Sequence, residues 1–410
     1  MSEFVKFGII GAGSAVWRYH KLGTKNNSQI KFVSGYDIND KKLAKAAKFS
    51  KLEPYSNLDA FLKSDIDAVM VLVPHFLHKD IVIAVAEAGK HVICEKPMAP
   101  TLEECDEMIT ATKKADIKFM IAENHRFLPA HQVIKDAIER GFIGDVFLGR
   151  TYEGAYARSQ FFDNNDWSFT YKKGGGGVVA DQGVHKFTML NWILGEVDSA
   201  QCWLSKTAKS SPEKGEDTAI VLLRYKCGAI VTVDISSSTG HPLTNKTEFH
   251  GTKGTIFEDH DWERPVKIFS SHPEAEVKGE YYSPEIEHGP FPDYYKISMG
   301  HEDAYFAKCI LENKKPEFTP EEARQGVAVV LLAYLSAKKG RMTSMDELIE
   351  VYKKEGKKGL DKIPDIGSAI AKHIEELIKS GKIRKYENMK KNIPNGVLSL
   401  MDISGIGPKT

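Results

Sequence analysis

The first 120 residues alternate short apolar runs with amphipathic stretches. Residues 4–10, 30–36, 68–73, 91–94 and 118–122 read as strands, whereas 43–49, 58–62, 78–88 and 102–114 carry apolar residues at helical spacing. Strand, helix and strand at this rhythm predict βαβ units with a parallel sheet buried on both faces. Beyond Arg126 the texture changes. A helix is expected at 130–140, then strand-like runs at 146–152, 197–205, 218–225, 229–236, 246–250 and 255–257. Hairpin turns such as Lys226-Cys227-Gly228 point to antiparallel pairing. A helix at 322–339 closes this region before Gly340, a helix stop. The pattern divides the chain into an α/β domain at 1–123, an α+β domain with a mainly antiparallel sheet at 124–341, and a small all-α tail at 342–410.

Composition sharpens this division. At 410 residues the chain exceeds one ordinary domain, and 42% hydrophobic with 27% charged residues is a globular balance. No run of about 18 uncharged apolar residues occurs, so no transmembrane helix is expected. Met1 leads directly into a strand-like run, unlike a signal peptide. Cys94, Cys105, Cys202, Cys227 and Cys309 lack CxxC spacing, which argues against a zinc site or disulfide framework and fits a reducing cytoplasm. No metal is expected. The net charge of zero hides a contrast: residues 341–410 hold 14 Lys and Arg against 10 Asp and Glu, and the remainder 42 against 46. A basic appendage on a mildly acidic body hints at two different partners.

The first strand runs into Gly11-Ala12-Gly13-Ser14-Ala15-Val16 and then a helix. Gly11 permits a tight turn, and Gly13 lets backbone N–H groups approach a pyrophosphate, so residues 11–15 are candidate cofactor contacts in a Rossmann domain. Val16 replaces the third glycine of that fingerprint, which governs close helix–strand packing. Asp37 ends the second strand, where an acid accepts hydrogen bonds from the adenosine ribose. Its charge repels a 2′-phosphate and so favours NAD over NADP. The alternative is that Asp37 caps the following helix.

Further segments carry a resemblance. Val73-Pro74-His75-Phe76-Leu77-His78, Glu95-Lys96-Pro97, Asn124-His125-Arg126-Phe127 and the run from Gly174 through Asp181 to His185 stand in order and spacing. With the glycine turn they resemble the glucose–fructose oxidoreductase/inositol dehydrogenase/MocA (Gfo/Idh/MocA) family over residues 4 to 340. The resemblance implies an NAD(P)-dependent oxidoreductase of sugars, polyols or related small molecules. It also implies a second domain with an open, mainly antiparallel sheet, and a homo-oligomer, dimer or tetramer. Val73, Pro74, His75, His78, Glu95, Lys96 and Asn124 become cofactor-binding candidates. Histidine, titrating near about 6.5, suits removal of a hydroxyl proton as hydride leaves for nicotinamide. By the resemblance His185 is the acid/base, Lys96 its electrostatic partner, and Asp181 orients substrate or base. Singly, Asp181 could equally cap a helix and His185 be a core histidine. Arg126, Trp167 and Tyr294 are substrate-side candidates, with an ion pair or core packing as alternatives. Many relatives carry an acid or amide where this chain has Thr188.

Residues 345–410 resemble the helix-hairpin-helix region of family X DNA polymerases, through the stretches 362–370, 374–382, 393–394 and 404–409. Glycine turns there present N–H groups to phosphates, which implies weak, sequence-independent DNA binding. An inert appendage is the equal alternative. Asp365 stands where a glycine is common, and His373 falls where some relatives keep a lyase lysine. Two other functions use the same fold: a non-catalytic dinucleotide-sensing regulator with a DNA-contacting tail, and an NAD-recycling glycosidase-type enzyme.

Overall fold

The computed structural model describes residues 3–156, 167–207, 214–240 and 243–355. Strand β1 (Val5–Ile10) is buried along nearly its whole length, as a central parallel strand must be when helices cover both faces. The chain continues through α1 (Trp17–Gly23), β2 (Ile30–Tyr36), α2 (Asp40–Ser50), β3 (Glu53–Tyr55), α3 (Leu58–Leu62) and β4 (Ala68–Val71). It then passes α4 (His78–Glu87), β5 (His91–Glu95), α5 (Leu102–Lys114) and β6 (Phe119–Ala122). The strands pair in parallel in the order β3-β2-β1-β4-β5-β6. Strand order reverses between β1 and β4, which opens a crevice at the carboxyl ends of the strands. This is the expected Rossmann sheet. Strand β3 was outside the sequence reading, because three residues cannot display a period.

The second sheet follows α6 (Pro129–Glu139). Its strands are β7 (Val146–Tyr156), then, after α7 (Tyr171–Gly174) and α8 (Val184–Leu194), β8 (Val197–Ser205), β9 (Thr218–Tyr225), β10 (Ile230–Thr239), β11 (Thr244–Gly251), β12 (Gly254–Asp259), β13 (Val266–Ser270) and β14 (Tyr281–Tyr282). Helices α9 (Asp293–Leu311) and α10 (Pro320–Lys339) precede a two-residue strand, β15 (Thr343–Ser344), and α11 (Met345–Glu355). The order is β14-β13-β12-β11-β7-β10-β9-β8-β15, antiparallel except where β7 and β10 run parallel at its centre. Alternation along β10 buries Val231, Val233 and Ile235 and turns the intervening residues outward. No helix of the described residues is long and apolar enough to cross a membrane.

Residues up to 349 form one compact unit, and beyond it the structure is described only as far as Glu355. Both glycine turns of the tail, at 363–367 and 403–408, therefore lie outside the described residues, as does the expectation of a helix-hairpin-helix.

Helix α9, which the apolar pattern does not reveal, lies against α1 and against β1, β2 and β6. The crossing with α1 is tight: a Cβ on Gly300 would lie 2.4 Å from the Gly23 carbonyl oxygen. Phe306 meets Phe7 at 6.3 Å between ring centroids. In the same seam buried His20 lies 3.0 Å from an oxygen of Asp303 and 3.0 Å from one of Glu95.

The loop after β4 is fixed to the second domain by His75, whose Nδ1–H donates to the Gly174 carbonyl at 3.0 Å. Burial, reinforced by His78, lowers its pKa to about 3. An unfolded histidine takes up a proton near 6.5, which the folded chain refuses until far lower pH. Stability from this group is thus complete above pH 6.5 and is lost as pH falls towards 3. Urea unfolding followed across that window will show a falling midpoint, with a shallower fall in His75→Gln. Identical slopes in the two proteins would contradict the assignment.

Candidate active site

Residues 11–16 make the turn between β1 and α1. Gly11 has φ +84°, and a Cβ there would lie 2.6 Å from the Leu72 carbonyl oxygen. A Cβ on Gly13 would lie 2.5 Å from the Lys42 Cβ and 2.9 Å from Asp37 Oδ2. Both positions require glycine. The Gly13 N–H donates to Asp37 Oδ2 at 2.8 Å, and the Asn39 N–H donates to Asp37 Oδ1 at 2.8 Å. Asn39, not Asp37, caps α2, accepting from the Lys42 N–H at 3.0 Å. Asp37 therefore stands at the end of β2 beside the glycine turn, where a dinucleotide's ribose is held in such sheets. The turn and its acid fit an NAD cofactor, with residues 11–15 and Asp37 the groups that would hold it. Val16 precedes α1, which starts only at Trp17.

Lys96 follows β5. Its Nζ donates to the Asp181 carbonyl at 2.8 Å and to Asp181 Oδ1 at 3.1 Å. Asp181 lies in a widened, π-type turn, Val179–Gly183, that runs straight into α8. Such turns recur at functional sites because they re-aim side chains within a helix. This one is anchored by buried Glu216, which accepts from the Val179 N–H at 3.0 Å, from Tyr334 Oη at 2.8 Å and from Tyr171 Oη at 2.9 Å. A Cβ on Gly177 would meet the Glu216 carbonyl oxygen at 2.0 Å, which explains part of the glycine run.

His185 stands one turn beyond Asp181, and only 5% of it is exposed. Its Nδ1 lies 2.5 Å from Glu123 Oε1. An ionised carboxylate only accepts, so Nδ1 carries the hydrogen and Nε2 is the nitrogen left for proton exchange. The His125 ring stacks on His185 at 4.3 Å and 13°. Burial above all, with opposition from the neighbouring basic side chains, pushes His125 well below the ordinary range, so it stays neutral. Burial pushes the Glu95 carboxyl up, but its bond to His20 and the charges of His20, Lys96 and His185 hold it below the usual value.

Half-buried Lys96 and buried His185 both act on Glu95, Lys96 pairs with Asp181, and His75 feels both Asp181 and Lys96. Trp167 packs edge-on to His75 at 4.7 Å and is partly exposed. The other sequence candidates are placed differently. His78 is fully buried, with its ring nitrogens against the carbonyls of Pro97 at 3.0 Å and Val73 at 2.9 Å, so it braces the Val73-Pro74 turn. Asn124 donates to Ser298 Oγ at 2.9 Å. Arg126 pairs with Glu322 at 3.0 Å and lies over the rings of Trp192 and Phe318, which is the ion-pair alternative. Tyr294 is 2% exposed and packs on His260 at 4.5 Å, which is the core-packing alternative. Glu123 escaped the sequence reading, although it stands between β6 and the candidate Asn124.

Comparison with known proteins agrees with this architecture. Residues 5–123 match the model of an oxidoreductase family with an NAD-binding Rossmann fold, and residues 131–257 match the GFO/IDH/MocA C-terminal domain. The myo-inositol 2-dehydrogenase of Thermotoga maritima is 26% identical over 84% of this chain and 100% of its own length. The levoglucosan dehydrogenase of Pseudarthrobacter phenanthrenivorans is 30% identical over 52% of this chain and 61% of its own. A solved levoglucosan dehydrogenase in complex with NADH and levoglucosan superposes with a TM-score of 0.75 over 84% of this chain and 99% of its own, at 24% identity. Matched in both its sheets, the chain belongs to the Gfo/Idh/MocA family of NAD-binding oxidoreductases.

Proposed function

We propose that this NAD(P)-dependent oxidoreductase, acting on CH–OH groups, interconverts a secondary alcohol of a sugar or cyclic polyol and its ketone. His185 is the acid/base. The observation that carries the reading is the Glu123–His185 hydrogen bond beside the Lys96–Asp181 pair. NAD, when bound, accepts the hydrogen and two electrons that leave the alcohol carbon. His185 Nε2 takes the hydroxyl proton, while its Nδ1–H stays on Glu123, which stabilises the imidazolium that forms. Asp181 engages two N–H donors of the Lys96 ammonium. The third is left for the substrate oxygen, where its charge stabilises a developing alkoxide. In the reverse direction the same groups return the proton. Trp167 offers an aromatic face for a sugar ring, and the names of the inositol and levoglucosan relatives support that substrate class. The homo-oligomer expectation finds support in Trp203 and Ile220, exposed cross-strand neighbours on the outer face of the second sheet.

His185→Asn will lower turnover by roughly 10²–10⁴ while NADH binding, read by energy transfer from tryptophan, is retained. Unchanged turnover on a substrate found by screening sugars and polyols would remove the assignment. Glu123→Gln will lower kcat with substrate KM and NADH affinity little changed, because the amide can hold the ring in the wrong tautomer. A fall confined to KM or to cofactor affinity would instead make Glu123 part of a binding surface. Asp37→Ser will erode the preference for NADH over NADPH by at least about tenfold, since it removes like-charge repulsion of the 2′-phosphate. Should the wild-type protein already prefer NADPH in that titration, the ribose assignment fails.

A further inference from the structure

Behind the His185–His125 stack lies a second group of polar side chains that the proposed chemistry does not use. His131 is on α6, Glu258 is near the end of β12, and His260 follows that strand. Exposure is 0%, 2% and 3% respectively. One imidazole nitrogen of each histidine and one carboxylate oxygen lie within 4.8 Å of one another. His131 Nε2 is 2.9 Å and His260 Nε2 is 2.8 Å from the same atom, Glu258 Oε1.

We propose that His131, Glu258 and His260 bind a divalent transition-metal ion of the zinc class. Three features carry this assignment. His131 Nδ1 lies 2.6 Å from the His125 carbonyl oxygen, which can only accept, so Nδ1 holds the hydrogen and Nε2, without a hydrogen-bond partner among the described residues, keeps its lone pair 2.9 Å from Glu258 Oε1. A backbone carbonyl that fixes the tautomer in this way is the usual outer support of a metal-binding histidine. Next, Glu258 receives both imidazoles on one oxygen, while buried Oε2 has no hydrogen-bond partner among the described residues. A carboxylate pairing with two imidazolium ions would spread them over both oxygens. Convergence on one oxygen is the arrangement of a monodentate ligand. Finally, the separations suit the ion. Bonds of about 2.0–2.1 Å in a tetrahedron put ligand atoms about 3.3 Å apart. An opening of a few tenths of an ångström from the two nitrogen–oxygen distances meets this.

Two imidazoles and one carboxylate select zinc-like ions over magnesium or calcium, which take oxygen ligands. The ion would join α6 to the sheet at β12. Through the His131–His125 hydrogen bond and the His125–His185 stack, it would also support the ring proposed to move the proton. A second buried cluster, His20 with Glu302 and Asp303, is less suited, because both nitrogens of His20 already face carboxylates of Asp303 and Glu95.

The test uses the full-length protein, purified, stripped with a chelator and reloaded. The expected results are about one zinc ion per chain by elemental analysis and a thermal midpoint raised by several degrees when zinc is restored. Reloading with Co²⁺ should give the visible absorption of a low-symmetry, imidazole-bound ion. His260→Gln and Glu258→Gln should each lose the zinc-dependent shift and the cobalt spectrum. If one variant fails to fold, the other carries the comparison. Wild-type protein without bound metal and without a zinc-dependent midpoint would overturn the proposal in favour of an imidazolium–carboxylate triad. So would zinc content unchanged in both variants, or a midpoint that responds to magnesium but not to zinc.

Discussion

The hydrogen bond between His185 and Glu123 joins the two sheets at the proposed site of proton transfer. Glu123 directly follows the last Rossmann strand, whereas His185 belongs to a helix that serves the second sheet. For the two to meet at 2.5 Å, the start of α8 has to be held to a few tenths of an ångström. That demand accounts for features that otherwise look unrelated. The glycine run allows backbone to approach the Glu216 carbonyl, and the Glu216 carboxylate ties the π-type turn to Tyr171 and Tyr334. Asp181 is then presented to Lys96 from the same turn.

The interior around this joint is unusually polar. His125, Glu123, Lys186, Glu153 and Glu258 are all buried. Isolated charges there would be very costly, so they persist only in pairs and networks. Burial lowers the Lys186 pKa, while Glu153 and Glu258 oppose that shift. The neighbouring side chains therefore act as a solvent for one another. Displacing one member leaves an uncompensated partner, which couples the catalytic region to the sheet behind it.

What the sequence reveals follows from how local each signal is. Strand β1 and its glycine turn are contiguous and are read directly, whereas Lys96, Asp181 and His185 stand out only through ordered motifs that resemble the family's. Strands β8 and β9 match their expected spans because their alternation is regular. Helix α9 stayed hidden because its buried side includes Ser298, Gly300, Glu302 and Asp303, which break the apolar period. The parallel pairing of β7 with β10 is non-local and leaves no trace in either strand. Glu123 is 62 residues from the histidine it is bonded to, and no spacing rule links them. His131 and Glu258 are further apart still, beyond the reach of a search for clustered cysteines and histidines. Arg126 and Tyr294 show the converse: their residue types suit a binding cleft, but burial and neighbours give them structural contacts.

The seam between α1 and α9 has a consequence for how the protein is made. The glycine contact at Gly23 and Gly300, and the meeting of Phe7 with Phe306, put residues from opposite ends of the compact unit into one core. The nucleotide-binding sheet is the first part to leave the ribosome, yet the face that α1 covers through Trp17 and Phe32 is completed only when α9 has been synthesised. During translation that partly covered surface waits through nearly two hundred residues of further elongation for its last helix, the circumstance in which chaperones engage growing chains. Biogenesis, rather than catalysis, is where the order of elements along this chain bears most heavily.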